Sequence, residues 1–358
     1  MDYLKILEKL KNKFLLMTLM SNIISDYARL LRLPGLGGLA TPAIFGAISA
    51  GVTELPLLAI LFLIGIFSVI YGFVLNDYAD VEVDKLTSEL YNRPLVKGTI
   101  SKKTALFICF LCVLGAYLTI IFLFYNREIT SFKLLAVLCI SVAGVLGSIY
   151  NLYGKKIVGS DFLIAISNGL IVLFGAFAVT QENTINIVTW IIVLLTFNQL
   201  LYMNAIEGGL KDADHDYKIN VKNIALVTGV KVKKNNNLVV PNIFKSFGLG
   251  IRFFSAFLVF VPFIFYGYSY EIWQIVVLLL LIILIFYTTI TMLNMKEFDR
   301  TRLRKLISAQ AYLRYSLVPI MLISIIGTLG GLILIFFPLL WYIILNPLSS
   351  EKLFKPRI

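Results

Sequence analysis

Long apolar runs separated by short polar segments set the pattern of this chain. A helix needs about 20 apolar residues to cross a hydrocarbon core of about 30 Å. About nine runs qualify: 35–52, 56–75, 104–124, 132–150, 161–180, 186–206, 247–268, 272–293 and 317–346. The last is long enough to be two shorter pieces. The pattern predicts an all-α fold, a polytopic membrane bundle of about nine transmembrane helices. Residues 1–33 read differently. Over 4–33, Lys5, Lys9, Lys11, Lys13, Arg29 and Arg32 are interspersed among leucines and isoleucines, which predicts an amphipathic segment lying at a membrane surface. The segment lacks the charged start, short apolar stretch and small-residue cleavage site of a signal peptide. Residues 34–358 then form a single transmembrane domain.

Composition agrees with the pattern. Of 358 residues, 59% are hydrophobic and 15% charged, whereas about a quarter of a soluble protein is charged. A lipid bilayer is therefore the expected partner, and no nucleic acid. Cys109, Cys112 and Cys139 all fall inside spans; the C-x-x-C they contain has no aqueous access or further ligands and reads as packing.

The net charge of +12 matters through its distribution, because Lys and Arg collect in loops that stay in the cytoplasm. The connections around Thr53, Gln181 and Tyr270 contain none. Those after spans two, four, six and eight are basic, the last with Lys296, Arg300, Arg302, Arg304, Lys305 and Arg314. The third connection, with Arg127 and Lys133, is weakly basic. This predicts a cell-membrane protein with its even-numbered loops in the cytoplasm and, from an odd span count, its C-terminus outside. Most of these cations need no further role than topology and attraction to anionic lipid.

Acid follows another rule, clustering in the second and sixth loops on one membrane face. If the helix of span two continues past Asn76, then Asp77, Asp80 and Asp84 fall at i, i+3 and i+7 on one stripe. Asp212 and Asp216 fall at i and i+4, with Asp214 turned away. Like charges at this density repel unless a cation joins them. Magnesium binds through one or two carboxylates plus substrate phosphates, so two facing clusters at a membrane mouth suggest a diphosphate bridged by Mg2+. A solvated loop would explain one cluster, but it explains two on one face poorly. A lipid diphosphate with an allylic carbon suits a site that is polar at its mouth and apolar behind. Metal on the diphosphate would stabilise the charge that builds as the carbon–oxygen bond breaks. Tyr150, Tyr153 and Tyr202 could then face the electron-deficient carbon, while Arg29, Arg32, Lys155 and Lys156 could grip the diphosphate. His215, the one histidine, is a candidate base. A transporter reading is disfavoured, because transport acids sit within spans and these span interiors read as nearly free of charge. A CDP-alcohol phosphotransferase would need D-G-x-x-A-R, which is absent.

The stretch NDYADVEVD (76–84), followed by NRPL (92–95) and Gly98, resembles the first signature of the UbiA superfamily of intramembrane prenyltransferases, N-D-x-x-D-x-x-x-D with a downstream R-P. KDADHDYKINVKNIAL resembles its second, D-x-x-x-D, and the likeness extends to Arg32-Leu33-Pro34 and the Tyr150 to Lys156 segment. The resemblance implies a helical bundle around a central cavity and Mg2+ held by Asn76, Asp77, Asp80, Asp84, Asp212 and Asp216. It further implies binding of a polyprenyl diphosphate aided by Asn76, Arg32, Arg93, Tyr150, Lys155 and Lys156, and prenyl transfer to a small acceptor. Motif spacing is most similar to 4-hydroxybenzoate polyprenyltransferases. The archaeal-type enzymes that make digeranylgeranylglyceryl phosphate resemble it less, since their second motif usually carries an aspartate where this chain has Gly209. Asn220 in place of Gly, EGGL before the second motif, and a Lys/Asn-rich insert at 231–248 depart from the quinone pattern and leave the acceptor open.

Overall fold

The computed structural model describes residues 22–85, 90–125, 128–180, 184–217 and 221–349. Most of the proposed N-terminal segment, and Lys218 and Asn220, lie outside these. The chain is a bundle of long helices: α1 (Asn22–Leu30), α2 (Leu33–Ser49), α3 (Leu55–Asp84), α4 (Lys102–Phe124), α5 (Ser131–Tyr153), α6 (Asp161–Val179), α7 (Ile187–Lys211), α8 (Asn242–Tyr266), α9 (Ile272–Leu293), α10 (Arg300–Met321) and α11 (Ile323–Leu345). Helix starts carry the expected signals. The side chains of Ser101, Asn186 and Asp299 accept backbone N–H groups of the first turn, Glu271 and Gln274 form a capping box, and Pro56 opens α3. Gly267, at φ 64°, ends α8 in the left-handed conformation that glycine adopts most readily.

Small residues let the first crossing sit deep in the bundle. α2 packs along α6 and beside α3, and a Cβ on Gly46 or Gly175 would run into the backbone carbonyl of Val172 or Ala43 across that contact. Without a hydrophobic force between helices in lipid, such close backbone approach carries the packing. α1 and α2 meet at a 45° bend.

Among the described residues eight helices are long and apolar enough to cross a membrane, and the bent α1–α2 pair makes nine, which matches the apolar runs. The path of the chain nevertheless differs from the sequence reading near its end. The run 317–346 breaks at Leu322, and the residues before it belong to α10, which begins at Arg300. α10 reaches from one end of the bundle to the other: Arg300 Nε donates to the Lys211 carbonyl, and the Ile320 carbonyl accepts from Gln274 at the start of α9. α11 then runs back, with Trp341 Nε1 donating to the Leu33 carbonyl at 2.9 Å and the Ser349 carbonyl accepting from Arg29. The end of α11 therefore lies at the aspartate end of the bundle. This corrects the odd-parity expectation for the face on which the last helix ends; residues 350–358 lie outside the described residues. Arg314, read as a loop residue, is buried inside α10. Hydropathy passes over α10 because its basic first turns and Arg314 lower the average.

The insert at 231–248 is a two-stranded hairpin, β1 (Lys231–Val232) and β2 (Leu238–Val239), followed by the first turns of α8. β1 packs against the helical turn Ala213–Asp216.

Candidate functional site

α3 is one continuous 30-residue helix through Asp84, so Asp77, Asp80 and Asp84 do share a stripe, and Asn76 sits half-buried at the same level. Asp77 and Asp84 are buried, each 5% exposed, and each is met by cations. Arg93 Nη1 lies 2.6 Å from Asp84 Oδ2 and 3.3 Å from Asp77 Oδ1. Arg32 Nη2 lies 2.9 Å from Asp77 Oδ1, with its guanidinium over the Phe73 ring. Arg32 holds φ 48° at the α1–α2 bend, a left-handed conformation uncommon outside glycine and concentrated at functional sites. Arg93 is placed by Pro94, which begins the turn Pro94–Lys97. Glu82 faces elsewhere and is exposed, paired with Lys85 and Lys102.

The second cluster forms where α7 ends. Asp212, at φ −105° and ψ 5°, breaks the helix, and the turn Ala213–Asp216 follows. Asp216 accepts from Asn223 Nδ2 at 2.7 Å, while Asp212 lies 3.4 Å from Lys211 Nζ. Lys155 connects the two clusters. Its Nζ is 2.7 Å from Asp80 Oδ1 and its carbonyl accepts the Lys222 N–H. Burial pushes the Asp216 carboxyl up to about 7; the charges of Asp212 and Asp80 add to this, and those of Lys155 and Lys211 oppose it. Asp80 and Asp216 thus lie within electrostatic range of each other. Tyr150 lies in electrostatic range of Asp80, Asp212 and Asp216, and its hydroxyl donates to Asn204 at 3.0 Å.

Among the described residues no three acidic side chains converge tightly enough to hold one metal ion; Arg32, Arg93 and Lys155 stand against their oxygens instead. The donor set is all oxygen, and it is divided between two helix ends. That suits hard cations completed by phosphate oxygens better than a prebuilt protein cage.

Other candidates fall elsewhere. Lys156 and Tyr153 are exposed, and Lys156 makes no hydrogen bond or ion pair among the described residues. Arg29 pairs with Asp26. His215 Nδ1 and Arg300 both contact Asp214 Oδ1, and Arg300 also touches the imidazole, so this group ties the second motif to α10. Tyr202 is fully buried beneath the Arg252 guanidinium, 3.3 Å from its ring centroid, so its face is already occupied.

The sequence reading passed over Asn204, Asn223 and Arg252, and it did not join Glu207 and Arg314 to Arg252 as one buried charged group. A lone arginine at 252 inside an apolar run was the available signal. Its presence corrects the view that the span interiors are nearly free of charge.

Comparison with known proteins gives the same family from two directions. Residues 39–274 match the family model described as the UbiA prenyltransferase family. A 4-hydroxybenzoate octaprenyltransferase of Francisella tularensis subsp. tularensis is 31% identical over 163 residues, 45% of this chain and 52% of that protein. One from Blochmanniella floridana is 27% identical over 58% of this chain and 68% of its own length. The chain spans about half the length of the first curated relatives it matches. A solved UbiA homolog from Archaeoglobus fulgidus bound to GPP and Mg2+ aligns with TM-score 0.59 at 18% identity, covering 85% of this chain and all of the other. A solved structure of a digeranylgeranylglyceryl phosphate synthase aligns with TM-score 0.60 at 19% identity, covering 85% of this chain and 99% of the other. With the family match extending over more than half of its length and the two aspartate clusters gathered at one end of its bundle, the chain belongs to the UbiA prenyltransferase family.

Proposed function

We propose that this integral membrane protein transfers a polyprenyl group from an allylic polyprenyl diphosphate to an acceptor, an aromatic of the 4-hydroxybenzoate kind. The observation that carries the reading is the pairing of Asp77, Asp80 and Asp84 with Asp212 and Asp216 at one end of the bundle, with Arg32, Arg93 and Lys155 between and around them. The names of the curated relatives support the aromatic acceptor. In this reading the aspartate end faces the cytoplasm.

Asn76, Asp77, Asp80, Asp84, Asp212 and Asp216 would hold Mg2+, which when bound supplies Lewis-acid neutralisation of the leaving diphosphate. The chain's own cations do the rest of the gripping. Arg93 and Arg32 now spend their donors on aspartates. When those oxygens are engaged elsewhere, the guanidinium forks are free to turn to phosphate oxygens a short distance away. Lys155 stands between the clusters as a third positive charge that either a carboxylate or a diphosphate can accept. Tyr150, held by Asn204, presents its ring and hydroxyl beside the acids, where a positive allylic carbon would develop.

The test is product chemistry. Detergent-solubilised protein is incubated with geranylgeranyl diphosphate, Mg2+ and either 4-hydroxybenzoate or geranylgeranylglyceryl phosphate. Diphosphate release with alkylated 4-hydroxybenzoate is expected. Alkylation of the polar lipid alone would overturn the acceptor, and no release with either would overturn the reaction class.

A further inference from the structure

Three charged side chains meet inside the bundle, away from the aspartates. Glu207, Arg252 and Arg314 are 0%, 3% and 4% exposed. Arg314 clamps Glu207 with both arms of its fork, Nη1 to Oε1 at 2.8 Å and Nη2 to Oε2 at 3.0 Å. Arg252 has no such partner. It donates to Gln310 Oε1 at 2.6 Å and Thr289 Oγ1 at 3.3 Å, neutral groups, and stands 3.8 Å from the carboxylate that Arg314 already holds.

Two guanidiniums therefore share one carboxylate. Arginine does not shed its proton in proteins, so one positive charge is left over in a low-dielectric setting, where an unpaired ion is costly. The other buried acids among the described residues are Asp26, Asp77, Asp84 and Asp161. None of them forms an ion pair with either arginine.

Beside the two arginines lies a cavity of about 30 Å3, otherwise walled mainly by apolar side chains such as Leu195, Ile285, Phe286 and Leu317. Arg314 Nε is buried and has no hydrogen-bond partner among the described residues. Ser255, also in the wall, commits its hydroxyl proton to the Ile251 carbonyl, so the donors facing the cavity are guanidinium N–H groups. One water needs roughly 10–15 Å3 of such space. The cavity is thus large enough for a single compact ion. A water would satisfy Nε but leave the charge uncompensated.

We propose that this cavity is a binding site for one small monovalent anion of halide size, held between Arg252 and Arg314. The anion balances two positive charges with two negative ones. It also anchors α7 to α8 and α10 at the π-helical stretch Tyr202–Gly208, which contains Glu207 and ends just before Asp212. Such stretches are frequent at functional sites.

Thermal unfolding of the full chain in detergent tests this, comparing sodium chloride, sodium bromide and sodium gluconate at equal ionic strength. Chloride and bromide should raise Tm by a few degrees in a saturable way, and gluconate should not. Arg252→Gln removes the surplus charge and should abolish the halide response. If that variant does not fold, bromide-soaked crystals of the unaltered protein decide, by an anomalous peak within about 3–4 Å of Arg314 Nε. Equal Tm in halide and gluconate, an undiminished response in Arg252→Gln, or no bromide peak in this cavity would each overturn the proposal.

Discussion

The aspartates differ in what each is asked to do, and single substitutions should separate them. Asp80 pairs with one half-exposed lysine, so Asp80→Asn should change stability by no more than about 1 kcal/mol. The same change should lower transfer by roughly 10²-fold or more, the scale of several kcal/mol of lost charge stabilisation. A variant that melts much earlier and loses activity in proportion would make the carboxylate structural. Asp216 carries a pH signature. Its carboxyl is raised in the folded protein to about 7 from an ordinary 3.8, chiefly by burial. Between those values the folded state binds more protons than the unfolded, so stability of the metal-free protein should fall as pH rises from about 4 to about 7 and level off above. Asp216→Asn should flatten that slope, and denaturation midpoints across this range would show it. Much at this scale was legible in the sequence, because i, i+3, i+7 spacing on a continuous helix has one geometric meaning. Arg252, Arg314 and Glu207 were harder to read. Their pairing joins residues far apart in the chain, and no one of them alone names its partners.

At the level of elements, glycine sets how closely α2 can approach α6. A methyl on Gly46 meets a backbone carbonyl of α6, and one on Gly175 meets a carbonyl of α2. Neither obstacle is a side chain that could rotate aside. Gly46→Ala and Gly175→Ala should therefore each destabilise by about 1–3 kcal/mol, the usual cost of overpacking. Gly72→Ala, where the added methyl meets nothing, should be near neutral. Melting curves of the three variants in one detergent give the comparison; equal behaviour would mean the helices can slide apart freely. The apolar helices were readable because about 20 consecutive apolar residues have few fates in a chain. α10 was not, since its charges are compensated by partners on other helices: Arg314 by Glu207, and Arg300 by Asp214 and the Lys211 carbonyl. Hydropathy averages a segment by itself and cannot register a counter-ion supplied from elsewhere.

For the whole molecule, the parity of crossings decides which ends share a membrane face. α10 carries the chain from the aspartate end to the far end, and α11 carries it back, so the segment after Leu345 returns to the level of Arg29 and Leu33. The loop at 267–271 lies at the far end, where Ser324 donates to the Ser269 carbonyl. Basic residues crowd the aspartate end, including Lys85, Arg93, Lys102, Lys155, Lys233 and Lys296, and this bias fits a cytoplasmic placement. The native cysteines are buried, so single exposed cysteines can report each face. With a membrane-impermeant maleimide, Ser269→Cys should label in intact cells. Lys233→Cys and Leu348→Cys should label only after permeabilisation, and both together. Labelling of Leu348→Cys from outside with Lys233→Cys still protected would mean that α10 does not cross. Labelling of both from outside would preserve the helix path and reverse the orientation, placing the diphosphate site on the outer face. The two outcomes separate the geometry of the chain from the charge rule that orients it.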